Sequence, residues 1–196
     1  IDVRATDRQV ILAREGVEVS NPRAAVFSVL LPLDVMGTPL VVERGWTAVD
    51  AEVRGGQFAF FNTHLESFFA PVRVAQGLEL AAIVGATSGP IVLVGDLNSL
   101  PGTEAAAILT APPPGGAGLA DVWAELHPNQ DGFTCCFLEL LTDPARTLDE
   151  RIDYVMVRDV RPLTAKVVGD VPGARRLGLW PTDHAGVTAG LRVEDE

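Results

Sequence analysis

The chain has 196 residues, of which 47% are hydrophobic, so it can bury a full core and we expect one domain over residues 1–196. Its formal net charge is −11, and Lys166 is its only lysine. An acidic surface opposes the counterion release that supports non-specific binding to nucleic acids, so a general DNA-binding protein is disfavoured. No apolar run approaches the length of about 20 residues that a transmembrane helix needs, so no transmembrane segment is expected.

The first half of the chain alternates apolar runs with turn signals. An Asn21-Pro22 turn, breaks within residues 32–39 and a Gly55-Gly56 hairpin turn separate the runs. Pro71 suits the first turn of a helix over residues 72–86 that lies against a sheet. The predicted strands, which form antiparallel neighbours, cover residues 10–13, 24–31, 47–53 and 57–63.

The second half of the chain predicts three further strands and two short helices. Thr103 is expected to cap the first helix, which ends near Leu109, and the second helix covers residues 120–126. His127 precedes Pro128 in a polar turn, and we expect no catalytic role for it. The strands cover residues 91–94, residues 151–157 and a final segment that ends near residue 191.

The most informative stretch is the buried strand over residues 91–94 and the turn after it. Gly95 allows the backbone to turn, and Asp96 and Asn98 then follow at alternate positions. With this spacing a carboxylate that holds a water molecule and a carboxamide that donates to developing negative charge can face one cleft. Asp and Asn are also ordinary turn residues, so this stretch alone leaves the functional and structural interpretations nearly equal.

Three other polar segments, residues 62–66, 151–154 and 182–184, lie at the ends of predicted strands. A lone histidine or an Asp-His pair is a weak signal by itself, but four motifs in a fixed order are specific. The chain thereby resembles the endonuclease/exonuclease/phosphatase superfamily of metal-dependent phosphoesterases, which have a DNase I-like fold. The motifs are Asn62-Thr63-His64-Leu65-Glu66, Gly95-Asp96-Leu97-Asn98, Arg151-Ile152-Asp153-Tyr154 and Thr182-Asp183-His184.

The resemblance implies an α/β, or α+β, four-layer sandwich of two mostly antiparallel β-sheets flanked by helices. It also implies hydrolysis of a phosphoester with Mg²⁺ or Mn²⁺. In this interpretation Asp96 activates the attacking water, while His64, Asn98 and His184 bind the charge of the transition state. Asp153 orients His184 and fixes its tautomer. The candidate catalytic residues are His64, Asp96, Asn98, Asp153 and His184, and the candidate metal ligands are Asp183 and His184.

The chain departs from the family pattern in two places. Family members open with a strand that carries an Asn and a second strand that ends in a Gln-Glu pair, whose Glu is the principal metal ligand. Neither motif is present, so we expect that the amino-terminal portion of the domain is missing from this sequence. Thr182 stands where Ser is usual, which keeps the hydroxyl group.

The acidic charge favours a small phosphodiester, a phosphomonoester or a lipid headgroup as substrate, and we expect a monomer. A nuclease of the same superfamily is the alternative. If the chain is complete without its metal-binding Glu, a non-catalytic domain that binds phosphate or protein is a further alternative. Secreted and cytoplasmic locations both remain open.

Cys135 and Cys136 are adjacent, so a disulfide between them is geometrically awkward and we interpret them as strand residues. A strained vicinal disulfide is the minor alternative. A metal module built on these cysteines and His127 is disfavoured, because adjacent cysteines lack the usual spacing of ligands.

Overall fold

The computed structural model describes residues 8–137, 141–142 and 148–193. Strands alternate with short connections in the first third, and the three helices lie in the middle of the chain. The strands of the described residues are β1 Glu18–Val26, β2 Leu31–Val35, β3 Thr38–Val42, β4 Gly45–Val53, β5 Gly56–His64, β6 Ile91–Asp96, β7 Ala120–Asp121, β8 Asp153–Arg158, β9 Val160–Val168 and β10 Gly186–Val193. The helices are α1 Ala70–Gly85, α2 Glu104–Thr110 and α3 Val122–Leu126, with a 3₁₀ turn at Pro172–Ala174.

The central sheet has six strands in the order β1-β4-β5-β6-β8-β7. Its neighbours are antiparallel except β5 and β6, which run parallel and are connected through α1. Two small antiparallel sheets accompany it, one made of β9 and β10 and one made of β2 and β3. None of the helices in the described part of the chain is long and apolar enough to cross a membrane.

The core is divided between the two faces of the central sheet, because successive residues of a strand point to opposite sides. On one face Phe61 and Leu93 belong to a cluster that includes the buried sides of α1 and α2. On the other face Phe60 and Val94 pack in a cluster with β9, β10 and α3. Two sheets therefore pack face to face, with α1 and α2 on the outer face of the central sheet, which confirms the predicted α/β sandwich. The second sheet consists of β9 and β10 within the described residues, and α3 packs beside it.

The prediction is wrong near the amino end of the chain. Residues 10–13 are not in a strand. Asn21-Pro22 lies inside β1, where the register with β4 shifts between Ser20 and Arg23. Proline has no N–H group for the ladder, so the pair forms a bulge in an edge strand instead of a turn between two strands.

Two further elements were not foreseen. Residues 31–42 form the β2–β3 hairpin in spite of Pro32, because Pro32 lies in an isolated two-stranded sheet where its missing N–H is tolerated. β9 escaped prediction because Pro162 and a register shift opposite Gly190 and Leu191 interrupt its alternation. In each case hydrogen bonds to a partner strand stabilise the extended conformation, and the local sequence does not reveal that partner.

The predicted helices are confirmed with small changes at their ends. Thr103 takes the capping position of α2, but its hydroxyl donates to the Leu100 carbonyl. The group that accepts from the first turn of α2 is Ser99 Oγ, which lies 3.2 Å from the Ala106 nitrogen. Ser99 therefore connects α2 to the turn that carries Asp96 and Asn98.

Cys135 and Cys136 are joined by a disulfide, which the sequence analysis treated as the minor alternative. Cys135 is not part of a continuous strand. It makes isolated bridges to Glu150 and to His184, and so connects the segment before β8 to the segment before β10.

Candidate active site

Three of the candidate residues lie in one row across the central sheet. His64 is the register partner of Asp96, and Asp96 is the partner of Asp153. The same row continues to Gly45 in β4. By alternation, these side chains point to the same face as the apolar residues that pack against β9 and β10. The row is therefore the polar end of the core between the two sheets.

Gly95 allows β5 and β6 to lie close together at this row. Its φ is +147°, and a Cβ atom there would collide with the carbonyl of Thr63. Because a larger residue would separate the strands, Gly95 is needed to bring His64 next to Asp96. Their nearest atoms, His64 Nε2 and Asp96 Oδ2, are 3.4 Å apart.

His184 reaches the row from the loop that precedes β10. Its Nδ1 lies 2.8 Å from Asp153 Oδ2. The loop is held in place because the Ala185 N–H donates to the Thr134 carbonyl at 2.7 Å. Thr134 Oγ1 in turn accepts from the Asp153 N–H at 3.2 Å, so Thr134 connects the two members of the Asp-His pair. The pair is thus fixed by a third segment, through the carbonyl and the hydroxyl group of Thr134.

Asp96 is a buried carboxylate whose side chain is only 15% exposed. Burial, and after it the nearby charge of Asp153, raise its pKa to about 6 against the opposing effects of the Asn98 N–H, His184 and Arg44. Asp96 Oδ1 accepts from the Asn98 N–H at 2.8 Å, which leaves Oδ2 facing His64. A carboxylate with a pKa this close to neutrality is suited to accept a proton from water.

His184 has the opposite electrostatic character. Its hydrogen bond to Asp153, together with the charges of Asp153, Asp96 and Asp183, raises its pKa to about 9 against the effect of burial. Without a metal ion the ring is therefore an imidazolium at neutral pH. A cation beside the buried Asp96 can stabilise negative charge that develops on a bound substrate.

Asn98 and Asp183 lie at the edge of this group. Asn98 has a φ of +48°, and its Nδ2 donates to the Leu65 carbonyl at 3.0 Å, which leaves one N–H of the carboxamide for other partners. The exposed Asp183 carboxylate accepts from the Thr182 hydroxyl at 3.2 Å. The ligand atoms of Asp96, Asp153 and His184 lie within 4.8 Å of one another, and that group does not include Asp183.

Sequence reasoning missed three contributors to the site: Arg44, Thr134 and Cys135. Arg44 Nη1 lies 2.9 Å from His64 Nδ1, and Cys135 Sγ lies 3.4 Å from His184 Nε2. Thr134 carries a local signal, because Gly132-Phe133-Thr134 resembles a family segment that begins a strand near the cleft. No local signal marks Cys135, because its contacts join segments that are distant in sequence. Arg44 precedes Gly45, which pairs with His64, so its place beside the ring also depends on the pairing of β4 with β5.

Side chains of helix α1 form hydrogen bonds with the loop that follows His64. The fully buried Gln76 accepts from the Glu66 N–H at 2.8 Å and donates to the Val29 carbonyl at 2.9 Å. Arg73 donates to the carbonyls of Glu66 and Ser67 at 2.7 and 3.0 Å. These contacts give Gln76 and Arg73 a structural role in the placement of His64.

Replacement of Gln76 by alanine is expected to lower the free energy of unfolding by about 2–3 kcal/mol, because it leaves the buried Glu66 N–H and the partly buried Val29 carbonyl without this partner. Denaturant-induced unfolding measures the change. Gln57→Ala is the matched control, since the exposed Gln57 bonds only to Glu52 across the β4–β5 hairpin among the contacts described. Equal losses for the two variants would contradict the role of Gln76.

His127 lies apart from this row of residues. Its Nε2 is 3.0 Å from the Ala165 carbonyl, and its ring packs on Trp123 with the centroids 4.6 Å apart. We expect His127→Ala to leave turnover unchanged and to lower the free energy of unfolding by about 1 kcal/mol. Parallel kinetic and unfolding measurements test this, and a large loss of turnover in a folded variant would contradict it.

The chain belongs to the endonuclease/exonuclease/phosphatase family, whose sequence model matches residues 21–184. The family comprises phosphodiesterases, nucleases and phosphatases, and its enzymes generally use divalent metal ions. Among curated protein sequences, none matches the chain significantly.

Solved structures of the same fold include three informative neighbours. TDP2 from D. rerio, complexed with a single-strand DNA product, gives a TM-score of 0.67 at 16% identity, over 90% of this chain and 68% of that chain. The endonuclease/exonuclease/phosphatase from Bacteroides vulgatus gives 0.66 at 22% identity, over 92% and 68%. A mannosyl-6-phosphatase from Bacteroides thetaiotaomicron gives 0.59 at 16% identity, over 90% and 67%. At these identities the likeness concerns the fold.

Proposed function

We propose that this protein is a metal-dependent phosphoesterase in which Asp96 deprotonates a water molecule for in-line attack on phosphorus. The observation that carries the proposal is the buried Asp96 carboxylate, with its pKa near 6, set between His64 and the Asp153-His184 pair. A base needs a pKa near the working pH, and a phosphoryl group needs positive charge and hydrogen-bond donors around it. The row of the sheet and His184, which reaches it from the loop before β10, together offer both.

The other residues of the site have complementary roles. Asp153 holds the His184 ring by its Nδ1, so that Nε2 faces away from Asp153. His184, together with His64 and the remaining N–H of Asn98, binds the negative charge of the transition state. Asp183 adds a carboxylate at the exposed edge. The proposed base, Asp96, thus lies at the centre of the site, and the hydrogen-bond donors His64, Asn98 and His184 surround it.

The residues present fit a divalent metal ion. Asp96 and Asp153 face one another in the register, and their mutual repulsion contributes to the raised pKa of Asp96, so a cation between or beside them would relieve it. Carboxylate oxygens are the ligands that Mg²⁺ and Mn²⁺ prefer. We assign Asp183 as a ligand and His184 as the alternative ligand: its remaining ring nitrogen, Nε2, either binds the metal after it loses its proton or donates to a phosphoryl oxygen. The ion would supply charge that polarises a phosphoryl oxygen.

A small phosphodiester, a phosphomonoester or a lipid headgroup is the proposed class of substrate. The net charge of −11 opposes the binding of a long polyanion. The neighbouring proteins differ in what they bind, since one holds a DNA product and another is a sugar phosphatase. Cleavage of plasmid DNA at physiological salt, lost in Asp96→Ala, would favour the alternative of a nuclease.

The protein is expected to hydrolyse a generic bis-aryl phosphodiester in the presence of Mg²⁺ or Mn²⁺ and to lose this activity when the metal is chelated. Asp183→Asn should raise the metal concentration needed for half-maximal turnover, because it removes one carboxylate ligand. Asp159→Asn makes the same change of charge in the exposed turn between β8 and β9, outside the site. It should leave the metal concentration for half-maximal turnover unchanged.

The outcomes of this experiment separate the candidate functions. Turnover that is unaffected by chelation would contradict the metal-dependent mechanism. Binding of inorganic phosphate without any turnover in either metal would favour the alternative of a non-catalytic phosphate-binding domain.

A further inference from the structure

The contact between Arg44 and His64 has no part in the roles assigned above. Arg44 Nη1 lies 2.9 Å from His64 Nδ1, and both side chains are partly buried. On the other side of the ring, His64 Nε2 lies 3.4 Å from Asp96 Oδ2. The imidazole is therefore held between a guanidinium and the proposed catalytic base.

The backbone around Arg44 is fixed by its neighbours. The Arg44 carbonyl accepts from the Phe27 N–H at 2.9 Å. The next residue, Gly45, pairs with Val26 on one side and with His64 on the other. A Cβ atom on Gly45 would collide with the carbonyl of Ala25, so β4 lies close to β1 at this point. The strand pairing therefore fixes the backbone position of Arg44, and from this position its guanidinium reaches the His64 ring.

The direction of the hydrogen bond follows from the chemistry of the two groups. A guanidinium has only donors and stays protonated at any pH the protein meets. Nδ1 of His64 must then be the acceptor, and an acceptor nitrogen carries no proton. The ring is consequently neutral, and its single proton is on Nε2, the nitrogen that faces Asp96 and the centre of the site.

We propose that Arg44 is a positioning residue that holds His64 as the neutral tautomer with its proton on Nε2. This inference rests on the proposed function, because it assigns how His64 presents a donor to a phosphoryl oxygen. Nε2–H is then ready to donate in every molecule. Without Arg44 the ring can place its proton on Nδ1, and the nitrogen that faces the substrate becomes an acceptor that repels an anionic oxygen.

The two histidines of the site are thus oriented by partners of opposite charge. Asp153, an acceptor, places a proton on Nδ1 of His184, whereas Arg44, a donor, removes the proton from Nδ1 of His64. Both arrangements leave the ring fixed by its Nδ1 and direct Nε2 elsewhere. Without metal, His184 therefore carries a proton on each ring nitrogen, whereas His64 carries one proton, on Nε2.

The test is the ¹⁵N spectrum of histidine-labelled protein in the absence of metal, which separates protonated from unprotonated ring nitrogens. In the wild type, His64 is expected to give one unprotonated nitrogen, Nδ1, and one protonated nitrogen, Nε2. Arg44→Met should mix the tautomers or invert them, and Arg44→Lys should restore the wild-type pattern in part because an ammonium also donates. Arg54→Met, in the exposed turn before β5, removes the same charge and should leave the pattern intact.

A wild-type spectrum with a protonated His64 Nδ1 would overturn the inference, and so would an unchanged spectrum in Arg44→Met. Kinetics give a second measure, in which Arg44→Met should lower kcat about 10- to 100-fold, the range typical when the partner that orients an imidazole is removed. If no substrate is turned over at all, the proposed function fails while the spectrum still decides the role of Arg44. If Arg44→Met fails to fold, the wild-type spectrum and Arg44→Lys remain decisive.

Discussion

Replacement of Asp96 by asparagine is expected to lower turnover about 10²- to 10⁴-fold, the range associated with loss of a general base. Asparagine has nearly the same shape and can still accept the hydrogen bond that Asp96 Oδ1 receives from the Asn98 N–H. The row of the sheet should therefore remain intact, and only the capacity to take a proton from water is lost. Initial rates with a bis-aryl phosphodiester, measured in Mg²⁺ or Mn²⁺, test this.

The same substitution is expected to stabilise the metal-free protein at neutral pH. The pKa of Asp96 is raised from 3.8 to about 6 in the fold, so folding favours the protonated acid, and stability is lost as the pH rises through this window. Asparagine does not ionise, so the Asp96→Asn variant does not lose stability in this way as the pH rises. Its free energy of unfolding should exceed that of the wild type above pH 6, by at most about 3 kcal/mol, and the difference should vanish below pH 3.8.

Asp159→Asn is the matched control, because it makes the same chemical change at a carboxylate that is 70% exposed. It should alter neither turnover nor the dependence of stability on pH. A fully active Asp96→Asn would exclude Asp96 as the base. An inactive variant that is also less stable than the wild type above pH 6 would indicate that Asp96 is needed for structure, contrary to the proposal.

Replacement of Asp153 by asparagine is expected to give the second largest effect, a loss of turnover of about 10²- to 10³-fold, because His184 loses the group that orients its ring. The Asp153 side chain lies 2.8 Å from His184 Nδ1, and it is the main cause of the raised pKa of His184. With asparagine the ring should be neutral at pH 8 and its orientation less defined.

The dependence of stability on pH checks this pair without substrate. Because the folded pKa of His184 is raised from 6.5 to about 9, its contribution to stability is complete below pH 6.5 and is lost as the pH rises through 9. Asp153→Asn should therefore be less stable than the wild type at pH 6, by at most about 3 kcal/mol, and nearly equal to it above pH 9. These measurements require chelator, since a bound metal would displace the proton.

His184→Gln is the complementary variant, since it removes the titrating ring and should show the same loss of pH dependence. If Asp153→Asn and His184→Gln each kept the wild-type profile between pH 6.5 and 9, the Asp-His pair would not be the source of that dependence. Combining the two substitutions should cost little more than either one alone, because both remove the same interaction.

The positions of the motifs in the fold were accessible from sequence because the motifs follow or begin strands with strong local signals. Residues 91–94 are apolar and β-favouring, and Gly95 ends their run, so Asp96 and Asn98 could be assigned to a strand end. The hairpin through Gly55-Gly56 likewise fixed the register that carries His64. Where local signals conflicted, as at Asn21-Pro22 and Pro32, the prediction failed, because pairing with another strand overrode them.

What the sequence determined by itself is therefore the family, the strand ends that carry the motifs and the residue types of the proposed site. Only the tertiary structure decided that His64, Asp96 and Asp153 share one row, since register depends on pairing between strands that are distant in the chain. The tertiary structure alone also revealed Arg44 beside His64, and it set the pKa of Asp96 and of His184. Those pKa values arise from burial and from neighbouring charges, which a linear sequence does not contain.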